Sequence, residues 1–287
     1  SGGKSKSMMR GRYYAPVGDS PRQARRCQDV PMARIDGATV LLARPTRGRT
    51  FTTTRRVRLS DTDADGVLRL DALARYAQDI ASDDAREALP GTHLAWVVRR
   101  TMLEIHHHLG AEEELELTTW CSGFGSRWAE RRTSVVGAAG GAVEMVVLWV
   151  AIDTAKGTPA RLDGRFADAY SEAAAGRQVA ARLQHHDAPE AADQQGWIFR
   201  ATDVDRLGHV NNAAYWSIAE EVFLASGRPQ AIQAELEYRS PVDVATPLVL
   251  KSSGSSDRWQ AWLTTDGDTH ASLTIAAGGS TSAREAR

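Results

Sequence analysis

An internal repeat constrains this chain more than any other feature. Arg58-Leu-Ser-Asp61-Thr-Asp63-Ala-Asp-Gly66 returns as Arg200-Ala-Thr-Asp203-Val-Asp205-Arg-Leu-Gly208, an offset of 142 with Arg, both Asp and Gly in register. Leu73, Tyr76, Ala77, Ile80 and Ala81 follow the first copy at helical spacing, and Tyr215, Ile218, Ala219, Val222 and Phe223 hold the same offsets after the second. Further on, Leu103-Glu104-Ile105-His106 answers to Leu236-Glu237-Tyr238-Arg239, and Arg127-Trp128 to Arg258-Trp259. Self-similarity over such a span marks two copies of one supersecondary unit.

Each copy reads as strand, Asp-Gly turn, apolar-faced helix and then a run of extended segments. These segments are expected at 114–121, 129–136 and 143–153 in the first half and at 247–253, 259–265 and 271–276 in the second, where Val, Thr and Trp alternate between turn residues. A helix with one apolar stripe and a short antiparallel meander bury each other best when the sheet wraps the helix. The fold class is therefore α+β, a tandem (double) hotdog, each half an antiparallel sheet wrapped around a long central helix. Boundaries follow: a basic, disordered extension over 1–48, an N-terminal hotdog over 49–153, a linker with one helix over 154–196, a C-terminal hotdog over 197–278 and a tail over 279–287.

The extension carries ten Lys or Arg against three Asp, although the chain as a whole is at −1, so the two halves are acidic. It has no apolar core before a small-residue cleavage site and does not read as a secretory signal. No run of eighteen apolar residues occurs, so no membrane-spanning helix is expected. Cys27 and Cys121 are too few for a disulfide framework, which favours a reducing, cytoplasmic setting.

Chemistry concentrates in the second copy. Asp205-Arg-Leu-Gly208-His209-Val-Asn211-Asn212 puts a carboxylate, an imidazole and two amides on the turn that enters the helix, where the first copy has Val67, Arg69 and Leu70. The first turn of a helix offers unpaired N–H groups and a positive dipole end, so a carbonyl docked there would be polarised without a charged side chain. Asp205 would activate water or attack the carbonyl directly. Asn211 and Asn212 orient the substrate or cap the helix. Asp63, with no imidazole beside it, reads as a structural relic or a wall of the pocket. His106-His107-His108 would alternate faces of a strand and cannot converge on one ion, so no metal site is expected, and no cofactor. His185-His186 falls in the polar linker and is read as solvated. Cys121 reads as a small buried apolar residue.

Asp-x-x-Gly-His-Val-Asn-Asn-x-x-Tyr resembles the active-site turn of hotdog thioesterases, including those of the 4-hydroxybenzoyl-CoA type. From about Thr52 to Ala276 the two-copy arrangement resembles the acyl-[acyl carrier protein] thioesterases of fatty-acid synthesis. Trp96-Val-Val-Arg-Arg-Thr-Met-Leu-Glu-Ile, Leu117-Thr-Thr-Trp120 and Arg131-Arg132 are similar to that family's segments in the same order. The resemblance implies that Asp205 and His209 are catalytic and that a fatty acyl thioester is hydrolysed to free acid and a thiol. Leu207 stands where that family has Asn, and Pro241-Val242 where it has Glu-Cys, which leaves a Cys nucleophile excluded there. The implied partner is an acyl carrier protein or CoA thioester, with no nucleic acid. A homodimer is compatible with the sequence. Carrier proteins are acidic, so Arg99-Arg100, Arg127 and Arg131-Arg132 are candidate docking residues. The competing readings are a non-catalytic acyl-thioester-binding protein on the same fold and an enoyl-thioester hydratase.

Overall fold

The computed structural model describes residues 35, 40–229, 232–244, 246–255 and 257–278. Most of the basic extension and the C-terminal tail lie outside the described residues. Residues 40–48 are described, and they run against the body of the protein: the Arg132 guanidinium donates to the Leu42 carbonyl, and Arg47 pairs with Glu172.

The first half is built from β1 (Phe51–Arg56), α1 (Leu70–Ala88), β2 (Leu94–His107), β3 (Glu114–Phe124), β4 (Trp128–Gly137) and β5 (Ala142–Asp153). A two-residue strand, β6 (Thr158–Pro159), pairs with β5 and leads to α2 (Gly164–Ala174). The second half comprises β7 (Asp193–Trp197), a 3-10 turn Asn212–Trp216, α3 (Ser217–Ser226), β8 (Ile232–Tyr238), β9 (Leu248–Gly254), β10 (Arg258–Thr265) and β11 (Asp268–Ala277). All eleven strands form one sheet, ordered β1-β3-β4-β5-β2-β8-β11-β10-β9-β7 with β6 beside β5. Read outward from the β2–β8 seam, the two sides list equivalent strands in the same order, so the repeat in the sequence is a repeat in space.

The seam is antiparallel, with Arg100 opposite Glu237 and Ile105 opposite Ile232. Every residue of β8 is buried, because its inner face meets the helices and its outer face is covered by the linker. That cover is a strap, residues 175–192. It is held by the Trp128 indole N–H donating to the Val179 carbonyl (2.7 Å), the Gln184 and His185 amides donating to Glu237 (2.6 and 3.0 Å) and the Trp262 indole donating to the His186 carbonyl (2.7 Å). The buried charges of the outer face are explained by this cover. It also corrects one reading of the linker. The His185 side chain is 8% exposed, with Nδ1 2.9 Å from Ser272 Oγ, and only His186 is exposed.

α1 spans 19 residues and turns Leu70, Leu73, Tyr76, Ala77, Ile80 and Ala81 onto the sheet at the spacing one helical face requires. They join Leu103, Leu115, Leu117, Val135 and Met145 in one core that continues through Trp216, Ile218, Ala219 and Phe223 of the second half. Truncating one of the larger members to Ala would cost about 2–5 kcal/mol. The second helix departs from expectation: it opens as the 3-10 turn and continues as α3 over only 10 residues. The Tyr238 hydroxyl donates to the Asn212 carbonyl at 2.8 Å and so competes for the acceptor that an α-helical first turn would use. The linker also ends earlier than expected, since β7 starts at Asp193 and already pairs with β9.

Candidate active site

The two Asp-Gly turns are near-superposable in their hydrogen bonds. Asp63 N–H donates to the Val67 carbonyl (2.9 Å) and Asp205 N–H to that of His209 (2.9 Å); Gly66 and Gly208 N–H return to the Asp carbonyls at 3.1 and 3.0 Å. Both glycines have positive φ, +79° and +83°, a conformation that favours Gly and that the repeat preserves at both copies. In each, one carboxylate oxygen caps its own turn, Asp63 Oδ1 accepting from Asp65 and Val67 N–H and Asp205 Oδ1 from Leu207 N–H (2.8 Å).

The second oxygens part company. Asp63 Oδ2 is 3.1 Å from Arg228, whose guanidinium also holds Glu220. Asp205 Oδ2 has no partner among the described residues, and the half-buried side chain lines a cleft of about 700 Å3. The helix starts differ in the same sense. Glu220 Oε1 accepts the Leu70 N–H at 2.6 Å and fills the first turn of α1. The equivalent amide, Asn212 N–H, is left without a bond among the described residues, because the repeat partner of Glu220 is Gln78, whose amide donates to the Asn212 side chain instead. Asn211 caps the turn through its side chain, accepting from Ala213 N–H at 2.8 Å.

The cleft lies mainly in the first half. Its walls come from the middle and C-terminal part of α1 (Gln78, Ala81, Ser82, Ala85), from Trp96, Cys121, Arg131 and Trp149 of the sheet and from Phe166 and Tyr170 of α2, with Asp205, Arg206, Leu207 and Asn211 also lining it. Burial pushes the Cys121 thiol up to about 11, so it is a neutral wall and not a nucleophile. Trp96 and Trp149 are the tryptophans that face the cleft. His209 is not among its lining residues; it is exposed and directs Nδ1 to Asp243 Oδ1 at 3.1 Å.

Two family models match the chain, the acyl-ACP thioesterase N-terminal domain over residues 48–170 and the C-terminal domain over 186–276. The chain belongs to the acyl-ACP thioesterase family. It is a thioester hydrolase on a double hotdog. An uncharacterized protein of Mycobacterium tuberculosis strain H37Rv is 28% identical over 219 residues, 76% of this chain and 88% of the relative. The fold is similar to a putative oleoyl thioesterase from Lactobacillus plantarum (17% identity, 79% and 94% of the two chains, TM-score 0.65). It is likewise similar to an acyl-ACP thioesterase from Bacteroides thetaiotaomicron (16%, 79% and 97%, 0.66) and to the 12:0-ACP thioesterase of Umbellularia californica (18%, 81% and 98%, 0.64).

In this chain the position of the family Glu-Cys pair, Pro241-Val242, serves as a support. Val242 is buried and its carbonyl accepts the Val210 N–H at 3.0 Å, holding the turn from behind. Asp243 then pairs with His209, an acidic partner that local sequence reading missed. Gln78 was missed as well, although the offset of 142 carries it onto Glu220 and points to it directly. Of the arginines expected to dock a carrier, Arg127 is exposed, and the other four are not presented for docking. Arg100, Arg131 and Arg132 are buried, and Arg99 spends its guanidinium on the Tyr238 and Arg239 carbonyls. Arg206 and Arg86 are the exposed arginines that line the cleft. Among the described residues, no helix is long and apolar enough to cross a membrane.

Proposed function

We propose that the reacting centre of this thioesterase is the Asn212 N–H and Asp205 pair at the end of the cleft, with the acyl chain lying along α1 and the thiol leaving past Arg206. The thioester carbonyl accepts from the Asn212 N–H at the positive end of the second helix, which polarises the C=O and stabilises the oxyanion as it forms. The free Asp205 Oδ2 takes a proton from water as the water oxygen bonds to the acyl carbon. The C–S bond then breaks, the acid leaves, and the proton passes to the thiolate. In the alternative route Oδ2 itself bonds to the acyl carbon, the C–S bond breaks, and water opens the resulting anhydride at the Asp205 carboxyl carbon, giving its proton to the thiolate. Single-turnover hydrolysis in 18O-water separates the two, since only the second leaves label in the Asp205 carboxylate.

His209 stands at the lip with Asp243 and acts from there on the charge developing at the turn. Asn211 shapes the docking point by capping it. The observation that carries this reading is the asymmetry of the helix starts, one amide filled by Glu220 and its twin open beside an unpaired carboxylate. We further propose acyl carrier protein as the thiol donor, because exposed Arg206 and Arg86 offer cationic contacts at the cleft to an acidic partner. Thiol release measured with carrier-linked and CoA-linked substrates of one chain length tests it. A fall in kcat/KM with salt confined to the carrier-linked substrate is expected, since screening shortens to about 10 Å at 0.1 M salt. Equal salt response for both would favour CoA.

A further inference from the structure

A cleft that takes a bare hydrocarbon needs only apolar walls, and this one has a guanidinium in its wall. Arg131 lies on β4 opposite Cys121 of β3 and is 8% exposed. Its Nη1 is 2.6 Å from Asp84 Oδ2, and its guanidinium carbon lies 5.2 Å from the centre of the Tyr170 ring. Asp84 is fully saturated: Oδ2 also accepts the Tyr170 hydroxyl at 2.8 Å, and Oδ1 takes Arg49 Nε at 2.7 Å. Arg49 extends to Glu87 at 3.0 Å, so the group is two cations and two carboxylates. Burying a charge costs several kcal/mol, and an apolar replacement of similar volume would often be as stable. What the network holds in the cleft is a guanidinium with spare donors. Arg131 Nη1 makes all its bonds, to Asp84 and weakly to Thr119 Oγ1 (3.5 Å), while Nε and Nη2 have no partner among the described residues.

The level of this donor along the cleft follows from α1. Gln78, which touches Asn212, and Asp84, which holds Arg131, are six residues apart, a rise of about 9 Å. A staggered hydrocarbon with bonds near 1.5 Å covers that in about seven carbons. We propose that the acyl group of the preferred substrate carries a neutral oxygen, a hydroxyl or a keto group, about six to eight carbons from the thioester, and that Arg131 receives it. The inference rests on the acyl placement proposed above and names the substrate class of that cleft. The charge balance selects a neutral acceptor, because a carboxylate would add an uncompensated buried negative charge to a group already balanced. Arg131 is fixed by Asp84 and Tyr170 before the ligand arrives, so little side-chain entropy remains to be lost on binding.

The test is calorimetric binding of the full chain to a series of CoA 2-oxoalkyl thioethers, which mimic the thioester and cannot be hydrolysed. One member is a plain ten-carbon chain, others carry a hydroxyl at successive carbons from 4 to 10, and one ends in a carboxylate. A hydroxyl at carbons 6–8 should tighten binding about tenfold to hundredfold over the plain chain, the range for a hydrogen bond to a charged donor. Arg131→Met should bring that ratio near one. Because Arg131→Met leaves Asp84 with less compensation, the double variant Asp84→Asn/Arg131→Met is measured in parallel, and if neither folds the wild-type series decides alone. Equal affinity for the plain and every hydroxylated chain, no binding by any member, or tightest binding of the carboxylate overturns the proposal. Binding is read without turnover, so an Asp205→Asn protein that still hydrolyses thioesters would fail the reacting centre and leave this result standing.

Discussion

The two helix starts of this molecule were built from one template and now do opposite things. Around the first, Glu220 sits on the Leu70 N–H, Arg228 neutralises Glu220 and Asp63 together, and the polar groups that could have met a substrate are occupied by one another. Around the second, Gln78 replaces Glu220 in the repeat and turns to the Asn212 side chain, so the Asn212 amide has no bond among the described residues, and Asp205, which lines the cleft, keeps Oδ2 unpaired. The difference teaches that duplication need not lose a site by deleting its carboxylate. Asp63 is still present, and a single acidic side chain from the opposite helix is enough to turn an anion-binding helix start into an internal ion-pair network.

The sharpest way to break the comparison is to neutralise the two turn carboxylates in turn. Asp205→Asn should lower kcat for acyl-thioester hydrolysis by about 10²–10⁴, while Asp63→Asn should keep turnover and lose stability. Steady-state thiol release and thermal melts on both variants read this out. Loss of turnover in Asp63→Asn with retention in Asp205→Asn would reverse the assignment of the halves. A second substitution transplants the plug. Gln78→Glu places at the second helix start the group that blocks the first, and a carboxylate seated on the Asn212 N–H removes the oxyanion donor. A fall of about 10²–10³ in kcat is expected, the scale of losing one such donor, with an unchanged melting temperature. Activity equal to wild type would mean that the carbonyl does not dock there.

Much of this was legible from the repeat alone. The offset of 142 fixed two hotdogs, the extended segments fell within a few residues of the observed strands, and both glycines of the turns proved to need positive φ. Asp205 and Asn211 stand out in the sequence because the second turn is decorated where the first is not, and both line the cleft. What local reading could not supply lies across the seam or under the strap. Gln78 meets Asn212 across 134 positions, a contact that exists only when the halves face each other. The arginine pairs looked like strand-surface charges because nothing in 99–100 or 131–132 tells that residues 175–192 and 40–48 cover the outer face of the sheet or that α2 packs near Asp84. His185 was misjudged for the same reason. The shortened second helix depended on Tyr238, a residue 26 positions away that bonds to the Asn212 carbonyl.

Smaller effects sharpen the comparison further. His209 touches Asp243 and not the cleft, so His209→Ala should cost about tenfold in kcat with KM nearly unchanged, at or below the low end of what a positioned proton-transfer group contributes. Asp243→Asn should reproduce part of that loss, and a thousandfold drop for His209→Ala would make it a direct participant.

The mildest test uses pH and the silent turn. Burial opposes ionisation of Asp63, but the Val67 N–H and the Arg228 guanidinium outweigh it, so its carboxyl is held below the usual carboxylate range. A folded-state value below the unfolded one means that the unfolded chain binds the proton first as pH falls. The stabilisation is therefore fully present above the ordinary Asp value near 4 and is lost as pH drops through the lower folded value. Urea unfolding of the wild type and Asp63→Asn should differ by about 1–3 kcal/mol at pH 7, the scale of a charge-assisted hydrogen bond, and converge toward pH 3. A gap that stays constant down to that pH would show that the Asp63–Arg228 contact contributes nothing to stability, and that the first helix start is kept closed by Glu220 alone.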